Sequence, residues 1–332
     1  MTLKFSSSDT EEGKVSPDNL TFTYENWNAY QNVTVAGVDD NVTDGNQTYS
    51  IIIDGDNNTN DSKYKNLDVD DIFVVNVDDD FPGFFISKIS GPTSESGGTA
   101  NFTIKINTIP DDLDNETHND NVTINLESSN INEGLVSPKS IVFSQSDWNS
   151  EKIVTITGVD DNVSDGDQGY TIKLNVDNNT TAIGYAILNP TDVNLYNVDD
   201  ESAGFFVSAV SRDTSESGTE QTAEFSVRLR SKPTADVTIY VSSSDTGEGT
   251  VNKDNLTFTA DDWSAFKPVT ITGVADNLSD GDQSYAILLE ADNTSSDLRY
   301  KYLDPPDVTL RNLDTAAGGF YVSAVSGDTA ES

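Results

Sequence analysis

Three acidic segments recur along the chain: GVDDNVTDGNQTY at 37–49, GVDDNVSDGDQGY at 158–170 and GVADNLSDGDQSY at 273–285. Their carboxylates are Asp39, Asp40 and Asp44 in the first copy, Asp160, Asp161, Asp165 and Asp167 in the second, and Asp276, Asp280 and Asp282 in the third. Further acids and amides stand at matching offsets. Asp9 and Glu12, Asn130 and Glu133, and Asp245 and Glu248 precede the segments, and Glu95 and Glu216 lie earlier still in TSES strings. Asp78, Asp79 and Asp80 follow the first segment, Asp199, Asp200 and Glu201 the second, and Asp314 the third. Oxygen donors of this kind suit calcium, which takes about six to eight of them in flexible geometry; magnesium, with its tighter octahedron and retained water, fits less well. Asp, Asn, Gly and Ser are also what tight turns require, so each motif alone has two readings, turn and ligand.

Catalysis is a poorer use of the same residues. A glycosidase needs two carboxyls facing each other across a cleft with separated pKa values, whereas these crowd together and recur in every copy, as ligation predicts. The Ser-rich strings have no histidine partner, since His118 is the single histidine, and no Gly-rich phosphate loop leads from a strand into a helix. No enzyme is expected.

The elements that must position the acids follow from the period of the repeat. Trp27, Trp148 and Trp263 keep pace with the segments, as do the strings GFFISKIS at Gly83, GFFVSAVS at Gly204 and GFYVSAVS at Gly319. The spacing of about 115 to 120 residues is that of one sandwich domain. The boundaries expected are 1–82 for a partial repeat, 83–203 and 204–317 for two complete ones, and 318–332 for the first strand of a further repeat or a donor strand for a neighbouring subunit. In the second repeat, alternating patterns predict seven strands, A to G, near 84–90, 100–107, 121–128, 139–144, 152–158, 169–176 and 192–198. The fold expected is therefore all-β, an elongated array of tandem seven-stranded antiparallel Ig-like sandwiches. Each Trp stands just before strand E and is predicted to plug one end of the core, a binding platform being the other reading. The first copy starts at strand C; either the chain is a window on a longer array, or subunits join head to tail.

Strand parity turns the acids into a place. In an antiparallel sandwich of seven strands, A, C, E and G run the same way, so the A–B, C–D and E–F loops and the exit from G share one end. The acidic motifs fall on those four. Two carboxylates about 5 Å apart repel by roughly 0.8 kcal/mol in bulk water and several-fold more at a protein surface. Six or more at one pole therefore oppose folding unless cations neutralise them.

Composition narrows the partners. Eighteen Lys plus Arg against 57 Asp plus Glu give a formal net charge of -39, which repels phosphate backbones and anionic headgroups, so neither nucleic acid nor membrane insertion is expected. Cysteine is absent, which excludes disulfides and thiolate metal sites. No apolar run spans a membrane and no basic-then-apolar leader is present, so an extracellular or cell-surface location is inferred from the repeats and their expected calcium.

On the glutamate of SES, the DD pair after strand E with a further acid soon after, and the acidic string closing strand G, nearly the whole chain resembles the Calx-beta domains of sodium/calcium exchangers, integrin β4 and large microbial surface proteins. That resemblance implies a seven-strand sandwich with calcium at the distal pole, near the junction with the next domain. Carried over residue by residue it points to Glu95, Asp160, Asp161, Asp165, Asp199 and Asp200. Ala275 replaces the first acid of the third pair and Thr315 follows Asp314, so fewer or weaker ions are expected there. The function expected is an extracellular rod, part of a surface filament or adhesin stalk. Calcium stiffens it, and its partners are neighbouring repeats or identical subunits end to end. The alternative is a module that binds a glycan or protein through the acidic insertion 111–120, the polar loop 177–181, or Tyr64 and Tyr300, with the acidic loops serving as turns.

Overall fold

The computed structural model describes all residues except Asn66, 112–119, Asn277, Ala317 and 330–332. The body of the acidic insertion, with His118, lies outside the described residues. The first copy contributes β1 (Thr2–Ser7), β2 (Gly13–Ser16), β3 (Asn19–Thr21), β4 (Thr34–Gly37), β5 (Gln47–Gly55) and β6 (Ile72–Asn76). The second contributes β7 (Phe84–Ile86), β8 (Thr93–Ser94), β9 (Thr99–Ile106), β10 (Asn121–Ser128), β11 (Gly134–Ser137), β12 (Ser140–Ser144), β13 (Lys152–Gly158), β14 (Gln168–Val176), one helical turn α1 (Ile183–Ala186) and β15 (Val193–Val198). The third runs through β16 (Phe205–Val207), β17 (Thr214–Ser215), β18 (Thr222–Leu229), β19 (Val237–Ser243), β20 (Gly249–Val251), β21 (Asn255–Phe258), β22 (Lys267–Gly273), β23 (Gln283–Ala291) and β24 (Val308–Leu313). The all-β reading of the sequence holds.

The described residues form two compact units, Met1–Val159 with Gly169–Asn197, and Asp160–Gln168 with Val198–Ser332. In the first, sheets ordered β12-β10-β14-β15-β8 and β11-β13-β9-β7 enclose one core. The period of two builds it: Ala100, Phe102, Ile104 and Ile106 point inward from β9, and Tyr170, Ile172 and Leu174 from β14. Each such large apolar side chain contributes about 1.5–3 kcal/mol on burial. The same unit holds the first copy's sheets, β3-β1-β5-β6 and β2-β4. In the second unit, sheets β16-β18-β22-β20 and β17-β24-β23-β19-β21 enclose a core with the same plan.

Several details depart from the strand pattern read in the sequence. Strand A is two pieces: β7 pairs β9 in one sheet, while β8 lies beside β15 in the other. Its counterpart β17 pairs β24 in parallel, so the pairing is not wholly antiparallel. The stretch predicted as one strand D is preceded by β11, which pairs β13 in the opposite sheet. Trp148 and Trp263 pack against the two cores, but Trp27 is exposed. Tyr185 and Tyr300 are buried with Phe84 and Phe205 edge-on, ring centroids 5.5 Å apart in both pairs, whereas Tyr64 is exposed.

Candidate metal centre

In the first copy the C–D loop, the E–F loop and the exit from β6 converge on a cavity of about 260 Å³. Glu12, Asp39, Asp40, Asp44, Asp78, Asp79 and Asp80 line it, and no Lys or Arg does. Two groups within it have carboxylate oxygens inside 4.8 Å of one another: Glu12 with Asp40 and Asp44, and Asp39 with Asp79 and Asp80. Burial, Glu12, Asp40 and Asp78 raise the Asp44 carboxyl above its usual value. Burial and the carboxylates of Asp39, Asp78, Asp79 and Asp40 do the same to Asp80. In the third copy Glu216, Asp276 and Asp280 gather in the same way.

The second copy's acids divide between the two compact units. Glu95 and Glu133 belong to the first and are both buried. Asp160, Asp161, Asp165, Asp167, Asp199 and Asp200 belong to the second. There burial, Asp161 and Asp199 raise Asp165, and one of its oxygens, Oδ1, is buried without a hydrogen-bond partner. A buried, unpaired carboxylate oxygen among other acids is a costly arrangement that a hard cation relieves.

Other acids in the motif are occupied in shaping the loops. Asp78, Asp199 and Asp314 each use both oxygens, one accepting from the N–H of Gly45, Gly166 or Gly281 at 2.7, 2.6 and 2.9 Å, the other from the N–H two residues on. Those glycines have φ of 75, 76 and 81°, the left-handed region that a side chain disfavours. Asp167 and Asp282 accept from the N–H of Asp199 and Asp314, closing the same clasp. Asp9, Asn130 and Asp245 accept from the backbone two residues on and close the C–D turn. Asp9, Asp245 and Asp200 stand outside every carboxylate group named here.

Beneath the pole lies a polar layer that the sequence did not announce. Asn76, Asn197 and Asn312 each donate from Nδ2 to a C–D loop glutamate, Glu12, Glu133 and Glu248, at 3.1, 3.3 and 3.2 Å. The same Nδ2 donates to the carbonyl of Val38, Val159 or Val274, which opens the E–F loop. In the two complete copies Thr93 and Thr214 join this asparagine to the buried hydroxyl of Tyr170 or Tyr285. Gly13, Gly134 and Gly249 clear space for the tyrosines; a Cβ there would lie 2.1, 2.3 and 2.4 Å from the ring or hydroxyl. In the third copy, where Thr315 replaces an acid, its N–H donates to Glu216 Oε2 at 3.1 Å. The signal in the sequence was an inward parity: Asn197 follows Val193 and Leu195 on the core face of β15.

No family model matches the chain, and no curated protein matches it. Solved structures do. The chain is similar to the calcium binding domain CBD12 of CALX1.1 at 14% identity, over 60% of this chain and 76% of that one, with a TM-score of 0.28. It is also similar to domains 4 and 5 of the S-layer protein SbsC (14% identity, 71% and 100% covered, TM-score 0.27) and to the D0-D1 domain of intimin (12%, 69% and 97%, 0.22). TM-scores of this size carry no argument, and the all-β reading stands on the registers above.

Proposed function

We propose that the chain is a segment of an extracellular or cell-surface structural array, in which calcium held at the pole of each repeat fixes that repeat to the next. The repeats would be those marked by the sequence period, at 1–82, 83–203, 204–317 and 318 onward. One observation carries the reading: seven carboxylates around one cavity in the first copy, with no protein cation among them. Exposed loop sites of this kind fit the weak calcium affinities, Kd about 10⁻⁴–10⁻³ M, of extracellular modules. Bound calcium would supply the positive charge that lets Glu12, Asp40 and Asp44 stay together, and likewise Asp39, Asp79 and Asp80.

The E–F loop links ion to neighbour. Asn41 and Asn162 sit in the left-handed conformation, φ 65 and 61°, just after the acid pair. The Asn41 carbonyl accepts from the N–H of Ile109 in the second copy at 3.0 Å, and that of Asn162 from Lys232 in the third at 2.7 Å. A loop ordered by a metal thus presents a fixed acceptor to the repeat that follows. Removing calcium from the full chain is expected to lower Tm and to broaden the particle dimensions seen by X-ray scattering. Melting and scattering curves unchanged by chelator would reject the reading.

A second reading, glycan binding, has one observation in its favour. A cavity of about 830 Å³ in the first copy is lined by Tyr24, Trp27 and Tyr64 together with Asp56, Asn58 and Asp61. Aromatic faces with amides and acids at the rim suit the stacking and hydrogen bonding of a sugar. A glycan array with no bound sugar would dispose of it.

A further inference from the structure

One turn recurs in all three copies where β5, β14 and β23 end: Asp-Asn-Asn-Thr at 56–59, the same four residues at 177–180, and Asp-Asn-Thr-Ser at 292–295. In each, the N–H of the aspartate donates back to β1, β10 or β19, to the carbonyl of Thr2, Thr123 or Thr238, at 2.8 Å. The aspartate's own carbonyl accepts from the N–H three residues on at 3.1, 3.0 and 3.2 Å, which closes a β-turn. Its carboxylate accepts from the N–H two residues on at 3.2, 2.8 and 2.8 Å. The hydroxyl in fourth place is tied down as well. Thr59 accepts from the N–H of Asp61 at 3.4 Å, Thr180 from that of Thr123 at 3.2 Å, and Ser295 donates to the Asp236 carbonyl at 3.0 Å.

Aspartate and hydroxyl therefore each have a task in the fold, and the asparagine in second place has none. Asn57, Asn178 and Asn293 are exposed and none has a positive φ; among the described residues their amides have no hydrogen-bond partner. That place in a β-turn accepts most residues, so geometry does not select asparagine there. Yet each of the three opens an Asn-x-Ser/Thr triplet, and the third copy keeps the triplet although two of its four turn residues change. Nearly half of the chain's asparagines stand in such triplets, more than twice the share that its serine and threonine content gives by chance. Several of the others have a structural reason. Asn19 and Asn255 donate to Asp18 and Asp254 at 2.7 and 2.9 Å, Asn46 accepts from the N–H of Asp78 at 3.1 Å, and Asn41 and Asn162 take the left-handed backbone that asparagine tolerates.

We propose that Asn57, Asn178 and Asn293 are acceptors of N-linked oligosaccharide, one on the same turn of every copy. The triplet is what such transfer requires, and an exposed turn is where it is accepted. In the transfer, Asn Nδ2 bonds to the anomeric carbon of an oligosaccharide carried on a lipid phosphate or diphosphate. The bond from that carbon to the phosphate oxygen breaks, the lipid phosphate leaves with the electron pair, and one amide proton passes to a base of the transferase; nothing is oxidised or reduced. Each copy would then carry a bulky, hydrated chain at a fixed place. The proposal rests on the extracellular part of the reading above and not on calcium.

Glycopeptide mass spectrometry tests it on the full chain purified from the cells that make it, with protease shaving of intact cells to show where the protein lies. Peptides spanning the three turns are expected to carry hexose or N-acetylhexosamine on Asn57, Asn178 and Asn293, and Asn178→Gln is expected to lose the sugar at that turn alone. Bare asparagines at all three turns in protein that shaving does reach would overturn the proposal and leave the array reading standing. Sugar at other triplets but at none of these turns would overturn it equally. Bare asparagines in protein that shaving does not reach would fail the extracellular reading and the proposal with it. Made in a host without the transferase, Asn178→Gln is expected to melt with the wild type. A clear drop in its Tm would give that amide a task in the fold and remove the ground for the proposal.

Discussion

Asn312 shows how one side chain can hold a pole together. It is fully buried, donates to both Glu248 and the Val274 carbonyl, and accepts from Thr214. Replacing it by the similarly sized leucine leaves a glutamate and a carbonyl without their donor, so Asn312→Leu is expected to cost about 3 kcal/mol in urea unfolding. A loss below about 0.5 kcal/mol would mean that water replaces the amide. The acids above it have the opposite character. Asp44, Asp80 and Asp165 are raised, which means that their ionised forms are worse off folded than unfolded. Stability from such a group is gained as pH falls through its folded pKa and lost as pH rises above it. In chelator, Tm is therefore expected to rise as pH is lowered from neutral through the raised folded-state pKa values of these carboxyls. With calcium present, protons compete with the ion and Tm should fall over the same range. Parallel slopes in the two media would show that the metal does not occupy these groups.

The E–F hairpin turns on its glycine. At Gly281 nothing lies within 4 Å of an added Cβ, so any cost of substitution comes from the backbone alone. Gly281→Ala is expected to lose about 1 kcal/mol and Gly281→Asn distinctly less, because asparagine tolerates the left-handed region. Equal losses in the two variants would place the cost elsewhere. At this scale the sequence was partly legible. The acid pair, the later Asp-Gly step and the acidic exit from the last strand repeat with fixed spacing, and strand parity put them on one pole. Which acids are spent on turns was not legible. Asp78 and Asp44 are both loop aspartates, yet the first is saturated by two backbone N–H groups and the second is left among carboxylates. Nor did the pattern reveal that strand A breaks at 87–92 and changes sheets, since the short piece Thr93–Ser94 has too few residues to show a period. Asn197 was visible at an inward position but reads, in the sequence alone, as an ordinary polar residue of a strand.

Over the whole molecule the formal charge of -39 acts against the compact state. Raising monovalent salt from about 0.01 to 1 M shortens the screening length from about 30 to 3 Å. In chelator this is expected to recover a large part of the Tm lost with calcium, and to add little when calcium is saturating. A salt response that is the same in both states would put the repulsion away from the poles. The bond from Ile109 to the Asn41 carbonyl gives the array a further property. The loop that gathers the acids also accepts a hydrogen bond from the copy that follows it, so on the proposed reading a force separating those two copies would load both at once. Divalent ions would then set the force at which neighbouring modules part, and a stalk of such modules would yield sooner wherever the surrounding water is poor in calcium.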